Sequence, residues 1–502
     1  MLMSLKPTRR QVASSIATAG AGAIGGALLA KLDGGGAASE RGFPAASPAT
    51  APNATIYARP ASDRADEYGS LLDVIPRDLQ SAVGAGDIST PLDHYINAFF
   101  DHLRATASPV YPTGRRIRWP AGRIRLENAL NILGLHNVKQ AGPGAGALEV
   151  IQTNNFPVFA GDLTAAQVAG GAAGLARHSI EDMTIHGAWG ANQNSNFNRA
   201  HGISTRYSNS VAVRRVDFRG CNRMWNIAFA VGNKAEWLTS PIAQAGNPMT
   251  NKYGLFQCGI NPEYDNNSVH GDHNSLSAQE VVYRMICAHG TSHTCAVGLS
   301  ARVGMMCGRS GEYGDGEDPT DVPFPKTQFV YPHINDAEMD SCIESGFVFA
   351  GGAGGPISRM RMSMLWAANT ADGPGVLIDQ ANGLLISGLQ TVYNGGGGIV
   401  ISNSRYVSIS GFIGDGNIRG KKFSSDIAVS SSSYCDIIGG SSQLSAGRVD
   451  RKGLNLIEDN DSDYNTYQLK LDKGRGPIGR NSEFLGYPQN QRKASGGIDP
   501  VR

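Results

Sequence analysis

Gly375-Val376-Leu377-Ile378, a short polar step, then Leu384-Leu385-Ile386-Ser387-Gly388 is the stretch whose reading decides the fold. It returns as Gly398-Ile399-Val400-Ile401 with Tyr406-Val407-Ser408-Ile409-Ser410-Gly411. It returns again as Asp426-Ile427-Ala428-Val429 with Tyr434-Cys435-Asp436-Ile437-Ile438-Gly439. The closing glycines stand 23 and then 28 residues apart, at 388, 411 and 439. Each unit is two short apolar strands, a polar turn and a variable polar segment. Such a unit cannot bury its own apolar side and must stack on copies of itself. Two or more strands per coil of roughly 22 to 28 residues fit a parallel β-helix, and no leucine-rich consensus or helical period fills the gaps.

The template recurs upstream with more decoration. Gly202-Ile203-Ser204-Thr205 leads to Val211-Ala212-Val213-Arg214-Arg215-Val216-Asp217-Phe218, and Gly346-Phe347-Val348-Phe349 leads to Ile357-Ser358-Arg359-Met360-Arg361-Met362. Ser179 to Ile185 and Glu280 to Ile286 read as strands of further coils. The count is roughly eight to ten coils between about 115 and 445. An antiparallel sandwich would need hairpin turns between neighbouring strands. Asn382-Gly383 is one such pair, but most links are serine-rich and uneven. Met360, Met362 and Met364 alternate, which places them on one face as core filler.

Composition agrees. Glycine is 64 of 502 residues and only 17% are charged, which suits tight corners between strands. A formal charge of +1 argues against a nucleic-acid binder held by bulk electrostatics. The seven cysteines are odd in number and irregular in spacing, with no CxxC pair, so neither a disulfide framework nor a structural zinc site is indicated.

Residues 1–39 read as an export signal. Arg9-Arg10 precedes a mildly apolar run from Ala13 to about Leu29, which resembles a twin-arginine signal and is marginal for a membrane span. The expected location is periplasmic, cell-surface or secreted, with no stable membrane span after signal removal. Residues 40–69, with Pro44, Pro48 and Pro52, read as a flexible linker. The β-helix is expected over 70–445, and 446–502 as an irregular C-terminal cover. Within 91–104, apolar residues at 92, 95, 96, 99, 100 and 103 make an amphipathic helix that would cap the open first coil.

After that helix comes Trp119-Pro120-Ala121-Gly122-Arg123-Ile124, followed by Leu130-Asn131-Ile132-Leu133-Gly134-Leu135. Here the chain, over about 70 to 445, resembles the pectate-lyase-like right-handed parallel β-helix superfamily, including phage tailspike-type proteins. That resemblance implies an all-β solenoid and a long carbohydrate partner. Many such proteins cleave acidic polysaccharides by β-elimination or hydrolysis, others are epimerases, and some only bind. The Asn-Thr-Asp pattern of polygalacturonases, the Asp-Pro-His of mannuronan epimerases and the Trp-Ile-Asp-His of pectate lyases are all missing, so no catalytic residue carries over by motif. Tailspike relatives trimerise, so a homo-oligomer is compatible, although 446–502 shows no heptads.

Position within the coil narrows the search to the polar turns. The first turn offers His186, Trp189, Arg199 and His201, and the next Asp217, Arg219, Asn222, Arg223 and Trp225. Then come Tyr283, Arg284, His289 and His293, followed by Asp336, Asp340 and Glu344, then Trp366, Tyr393, Asp415 and Lys421. Two long insertions, about 232–275 and 308–326, fall in this region. The expected mechanism is β-elimination on a uronate chain. Arg219 or Arg223 would hold the carboxylate, and His289 or Tyr283 would transfer the proton. Trp225, Arg284, His293, Trp366 and Tyr393 would bind substrate. The runner-up is a hydrolase using two of Asp217, Asp340 and Glu344, and the third reading is a binding solenoid without catalysis. Arg223, His289 and Asp340 are expected to stack in successive coils along one groove. No metal site is assigned; His270-Gly271-Asp272-His273 reads as solvated, while the acidic segment 312–321 has the oxygen ligands for Ca²⁺ without EF-hand spacing.

Overall fold

The computed structural model of the chain describes residues 69–105, 115–258, 269–286, 291–308, 317, 332–352, 355–420, 425–444, 454–472, 475–476 and 478–485. The export segment, most of the linker and His289 lie outside the described residues. No helix among the described residues is long and apolar enough to cross a membrane.

The chain winds as a right-handed parallel β-helix. One ladder is a 12-stranded sheet running from Leu130–Asn131 to Leu454–Glu458; the other is a 17-stranded sheet. Each strand pairs in parallel with its counterpart one coil later, as in Val376↔Ile399 and Ile399↔Ile427. Eleven of the twelve strands of the narrower sheet fall between 115 and 445, slightly more than the eight to ten coils expected there, because the early coils carry strands as short as Leu130–Asn131. The solenoid also passes 445. Leu454–Glu458 pairs with Ser425–Ser430, and Thr466–Leu471 pairs with Asp436–Leu444. The expected irregular cover is therefore in part another coil.

The wide sheet is bent lengthwise by a column of left-handed residues. Asp182, Arg215, Trp237, His273, Cys295, Asp336 and Met364 all have φ between 50 and 60°. Gly388, Gly411 and Gly439 continue the column at φ 73, 71 and 67°. The closing glycines of the repeat are thus the bend, and seven upstream coils fill it with side chains. The bend divides the sheet into a leading strip before it and a trailing strip after it. It also resets the inside–outside alternation, which corrects the reading of the methionines: Met360 and Met362 are buried, but Met364, at the bend, is 63% exposed.

Apolar side chains from both strips and the narrow sheet fill one continuous core that includes Ile180, Val216, Phe218, Trp225, Phe347, Ile399, Ile401 and Ile437. Inside it, Asn417 donates to Thr391 Oγ1 at 3.0 Å and to Asp426 Oδ1 at 2.9 Å, while its own Oδ1 accepts from Asn394. Buried polar groups at the coil corners thus satisfy one another up the stack.

The first coil is closed by helices α1 (Arg77–Ala85) and α2 (Asp93–Ala105), as the 91–104 pattern predicts. Asn97 acts as a false strand. Its Nδ2 donates to Ala129 O at 2.9 Å, and its Oδ1 accepts from Asn131 N at 2.9 Å. The edge of the first strand is so occupied, and further strand addition is blocked.

Candidate functional site

The outward positions of the trailing strip form two columns. Arg123, Glu149, Thr184, Asp217 and Thr239 stand in register in successive coils. Two residues further along each strand stand Arg125, Ile151, His186 and Arg219. The intervening residues Ile124, Val150, Ile185 and Phe218 are buried, so strand alternation itself turns these polar groups outward.

In the early coils the columns converge into a half-buried polar cluster. Arg219 Nε donates to Asp217 Oδ2 at 2.6 Å, and its Nη1 lies 3.5 Å from Glu149 Oε1. Arg123 Nε donates to Glu149 Oε2 at 2.7 Å, and Thr239 Oγ1 donates to Asp217 Oδ1 at 3.1 Å. His186 Nε2 is 3.9 Å from Glu149 Oε1 and has no hydrogen-bond partner among the described residues. Thr184 between the carboxylates is taken up by structure, since its Oγ1 accepts from Gly146 N at 2.9 Å.

Burial pushes the two titratable groups in opposite senses. The His186 imidazole is lowered to about 4 by desolvation; Glu149 opposes the shift, and Arg219 and Arg123 add to it. The Asp217 carboxyl is raised by desolvation, with Arg219 and Thr239 opposing and Glu149 adding. A neutral imidazole whose Nε2 is buried without a hydrogen-bond partner, an acid of raised pKa and two guanidinium groups thus stand together in one polar cluster.

Of the expected site residues, Asp217 and Arg219 meet here. The others are distributed differently. Arg223 is fully buried on the narrow sheet, with its guanidinium 3.7 Å from the Phe256 ring centroid and Nη1 donating to Asn226 Oδ1 at 2.9 Å. Arg284 is also fully buried and donates to Gly308 O at 2.6 Å. Tyr283 and Trp225 point into the core. The Tyr283 hydroxyl lies 3.0 Å from the carbonyls of Asn274 and Val297, and Trp225 Nε1 donates to Thr205 Oγ1 at 2.9 Å. His293 packs edge-on against Tyr283, and burial lowers its pKa to about 4. Trp225 and Tyr283 thus belong to the inner core, while Arg223 and Arg284 lie on the other face of the narrow sheet, in register with Tyr253, Phe256 and Met306 of a second buried cluster.

Asp340 ends the strand His333–Asp340 on the trailing strip and accepts from Ser341 Oγ at 3.0 Å and Asn369 Nδ2 at 2.9 Å. Its strand pairs on the wide sheet and that of Arg223 on the narrow one, so the expected stack of Arg223, His289 and Asp340 does not form; His289 itself is not described. Glu344 accepts from Arg302 Nε at 2.6 Å, within a ladder in which Lys252, Glu280, Arg302 and Glu344 alternate in sign. It forms no described pair with Asp340. Trp366 faces outward in the same column as Asp217, aligned with Glu338, and Tyr393 is 45% exposed at a coil corner beside Arg419. Of the acidic segment 312–321, only Glu317 is described. It is taken by Lys252 Nζ at 2.7 Å and Tyr253 Oη at 3.0 Å.

Two other surface features have less chemistry to offer. A shallow groove of about 450 Å³ on the leading strip is lined by His333, Asn335, Arg361, Ser363, Ser387 and Ser410 among others, and includes no carboxylate. Tyr406, Tyr434 and Tyr464 stack at 5.3 and 5.2 Å in a half-exposed ladder of rings on successive coils.

Glu149 and His186 were readable in principle. Leu-Glu-Val, Met-Thr-Ile-His and Val-Asp-Phe-Arg all place polar residues at the alternate positions after the bend. Register, which aligns 149 with 184 and 217, was the missing information.

No protein-family model matches the chain, and no curated protein sequence matches it. Solved structures do. The tailspike protein 3 of bacteriophage CBA120 superposes with a TM-score of 0.51 at 12% identity, covering 87% of this chain and 61% of the tailspike. The likeness is one of fold. The A-module of the Azotobacter vinelandii mannuronan C-5 epimerase AlgE6 aligns over 82% of this chain and 99% of its own, at 13% identity and a TM-score of 0.49. An endo-xylogalacturonan hydrolase from Aspergillus tubingensis aligns over 80% and 93%, at 9% identity and a TM-score of 0.40.

Proposed function

We propose that the protein is an exported enzyme that cleaves a uronate-containing polysaccharide by β-elimination at the Glu149–His186–Asp217–Arg219 cluster. The observation that carries this reading is the opposed tuning of His186 and Asp217 within reach of Arg219. A uronate carboxylate drawn to Arg219 and Arg123 makes its C5 proton more acidic. Neutral His186 removes that proton through Nε2 once the side chains that cover this buried atom move aside for the substrate. The electron pair forms the C4–C5 double bond, and the C4–O bond breaks. Asp217, its pKa raised, returns a proton to the departing oxygen. The incoming negative charge also raises the basicity of His186 as substrate binds.

Outward side chains in one column repeat at roughly 4.8 Å per coil, so an extended sugar chain lying along the axis meets several of them. Trp366, further along the same column, offers a ring to such a chain.

A hydrolase reading rests on a separate observation. Glu149 and Asp217 flank Thr184 in one column and both reach the Arg219 guanidinium, a pair of neighbouring carboxylates of the kind that glycoside hydrolysis uses. One assay separates the readings. The purified protein is incubated with a panel of acidic polysaccharides while unsaturated-uronate absorbance and reducing ends are followed together. Both signals rising, and both lost in His186→Gln, supports elimination. Reducing ends alone supports hydrolysis, and binding without either signal makes the protein a recognition module.

A further inference from the structure

The bend column poses a question that the proposed cluster does not answer. A side chain in the left-handed region costs about 1–2 kcal/mol relative to glycine. Three late coils avoid that cost with Gly388, Gly411 and Gly439, whereas His273, Cys295 and Asp336 keep it in three successive coils. Among the seven side chains that keep it, these three are neighbours on adjacent strands.

These side chains converge. Asp272, His273 and Cys295 each present a donor atom, and the three atoms lie within 4.8 Å of one another. His273 Nδ1 is 2.7 Å from Asp272 Oδ1, and Cys295 Sγ is 3.4 Å from Asp336 Oδ2. The donors come from neighbouring strands held in register, His270↔Ser292↔His333 and Asp272↔Thr294↔Asn335, so their spacing is set by the ladder. The imidazole is further fixed by Trp237 one coil earlier, stacked on it at 4.3 Å between centroids and 11° between planes. His273 is exposed and Asp272 and Cys295 are half-buried, so an ion from solvent has access.

We propose that Asp272, His273 and Cys295 form a binding site for a borderline divalent metal ion of the zinc type, with Asp336 beside the Cys295 sulfur. One imidazole nitrogen, one thiolate and carboxylate oxygens form a mixed set that suits zinc or cobalt(II) and disfavours the all-oxygen preference of Ca²⁺ and Mg²⁺. Binding requires the Cys295 proton to leave, so affinity rises with pH. Trp237 orients the ring in the manner of an outer-shell partner. A metal here would clamp two adjacent coils of the leading strip, on the other side of the bend from the cluster.

The test uses the full chain, stripped with chelator and titrated with Co²⁺. The expected result is one equivalent bound, with visible d–d bands and a near-ultraviolet thiolate-to-cobalt band that Zn²⁺ removes. Cys295→Ser should abolish the thiolate band, and His273→Gln should weaken binding at least tenfold, with wild-type circular dichroism retained in both. As an independent readout, Zn²⁺ should slow alkylation of Cys295, followed by peptide mass spectrometry, at least tenfold. Absence of the bands in the wild type, their survival in Cys295→Ser, or unchanged Cys295 alkylation with Zn²⁺ present would each overturn the assignment.

Discussion

Asp217 and Arg219 sit two residues apart on one strand, both facing outward, with Arg219 Nε donating to Asp217 Oδ2 at 2.6 Å. The same guanidinium reaches Glu149 two coils earlier, so a single side chain ties together carboxylates separated by 68 positions in sequence, from 149 to 217. Removing it leaves two half-buried carboxylates without their shared counter-charge.

Arg219→Gln should therefore lower turnover on an acidic polysaccharide by about a hundredfold, and raise the Asp217 pKa further, since Arg219 is what opposes the upward shift. Carboxylate titration by NMR together with steady-state kinetics reads both effects. A variant that keeps full activity removes Arg219 from the mechanism.

His186→Gln should cost at least tenfold to a hundredfold in kcat with little change in melting temperature, because His186 Nε2 makes no described hydrogen bond for the fold to lose. Equal losses of activity and stability would make His186 a structural residue.

Stability should fall as pH drops from about 6.5 to about 4. His178 and His293 are fully buried and lowered to about 4, so folding favours their neutral forms. That contribution is complete above the unfolded value near 6.5 and is lost through the window below it. Burial holds His178 neutral, against the hydrogen bond that pairs its Nδ1 with Leu135 O at 2.9 Å; its Nε2 faces Gln140 Nε2 at 2.9 Å. Asp426 acts in the opposite sense. Burial raises it to about 6, so its share of stability grows as pH falls through about 6 towards 3.8. Thermal melts across this range should show a net decline that steepens in Asp426→Asn.

At the bend, Met364→Gly should stabilise the protein by about 1 kcal/mol, since an exposed side chain is released from the left-handed region. Gly411→Val should destabilise it by about as much or more. Space is not the cause, because an added Cβ would meet Gly388 N only at 3.7 Å. Denaturant midpoints decide the signs.

Ile401→Asp should unfold the coils around it. Ile399 and Ile401 are both fully buried, and a carboxylate placed there without a partner costs roughly several kcal/mol. An unchanged melting profile would contradict the inward register.

The repeat was legible because its causes are local. Apolar alternation, corner glycines and unit length depend on residues near one another in sequence, and they suffice to dictate a parallel solenoid capped by the helix at 93–105. Inward and outward faces were legible where the period of two ran unbroken, as at Ile399 and Ile401. At Met364 it failed, because a left-handed residue spends one position without crossing the sheet. Only tertiary structure decided which polar residues meet. Glu149, His186 and Arg219 are neighbours through inter-coil register, and register depends on loop lengths that no local pattern encodes. The density of charge around Arg223, Tyr283 and Arg284 pointed to a site, yet burial places those groups in the fabric of the coils. The cluster of Glu149, His186, Asp217 and Arg219 stands on the other sheet, where alternation and stacking bring an imidazole against two carboxylates.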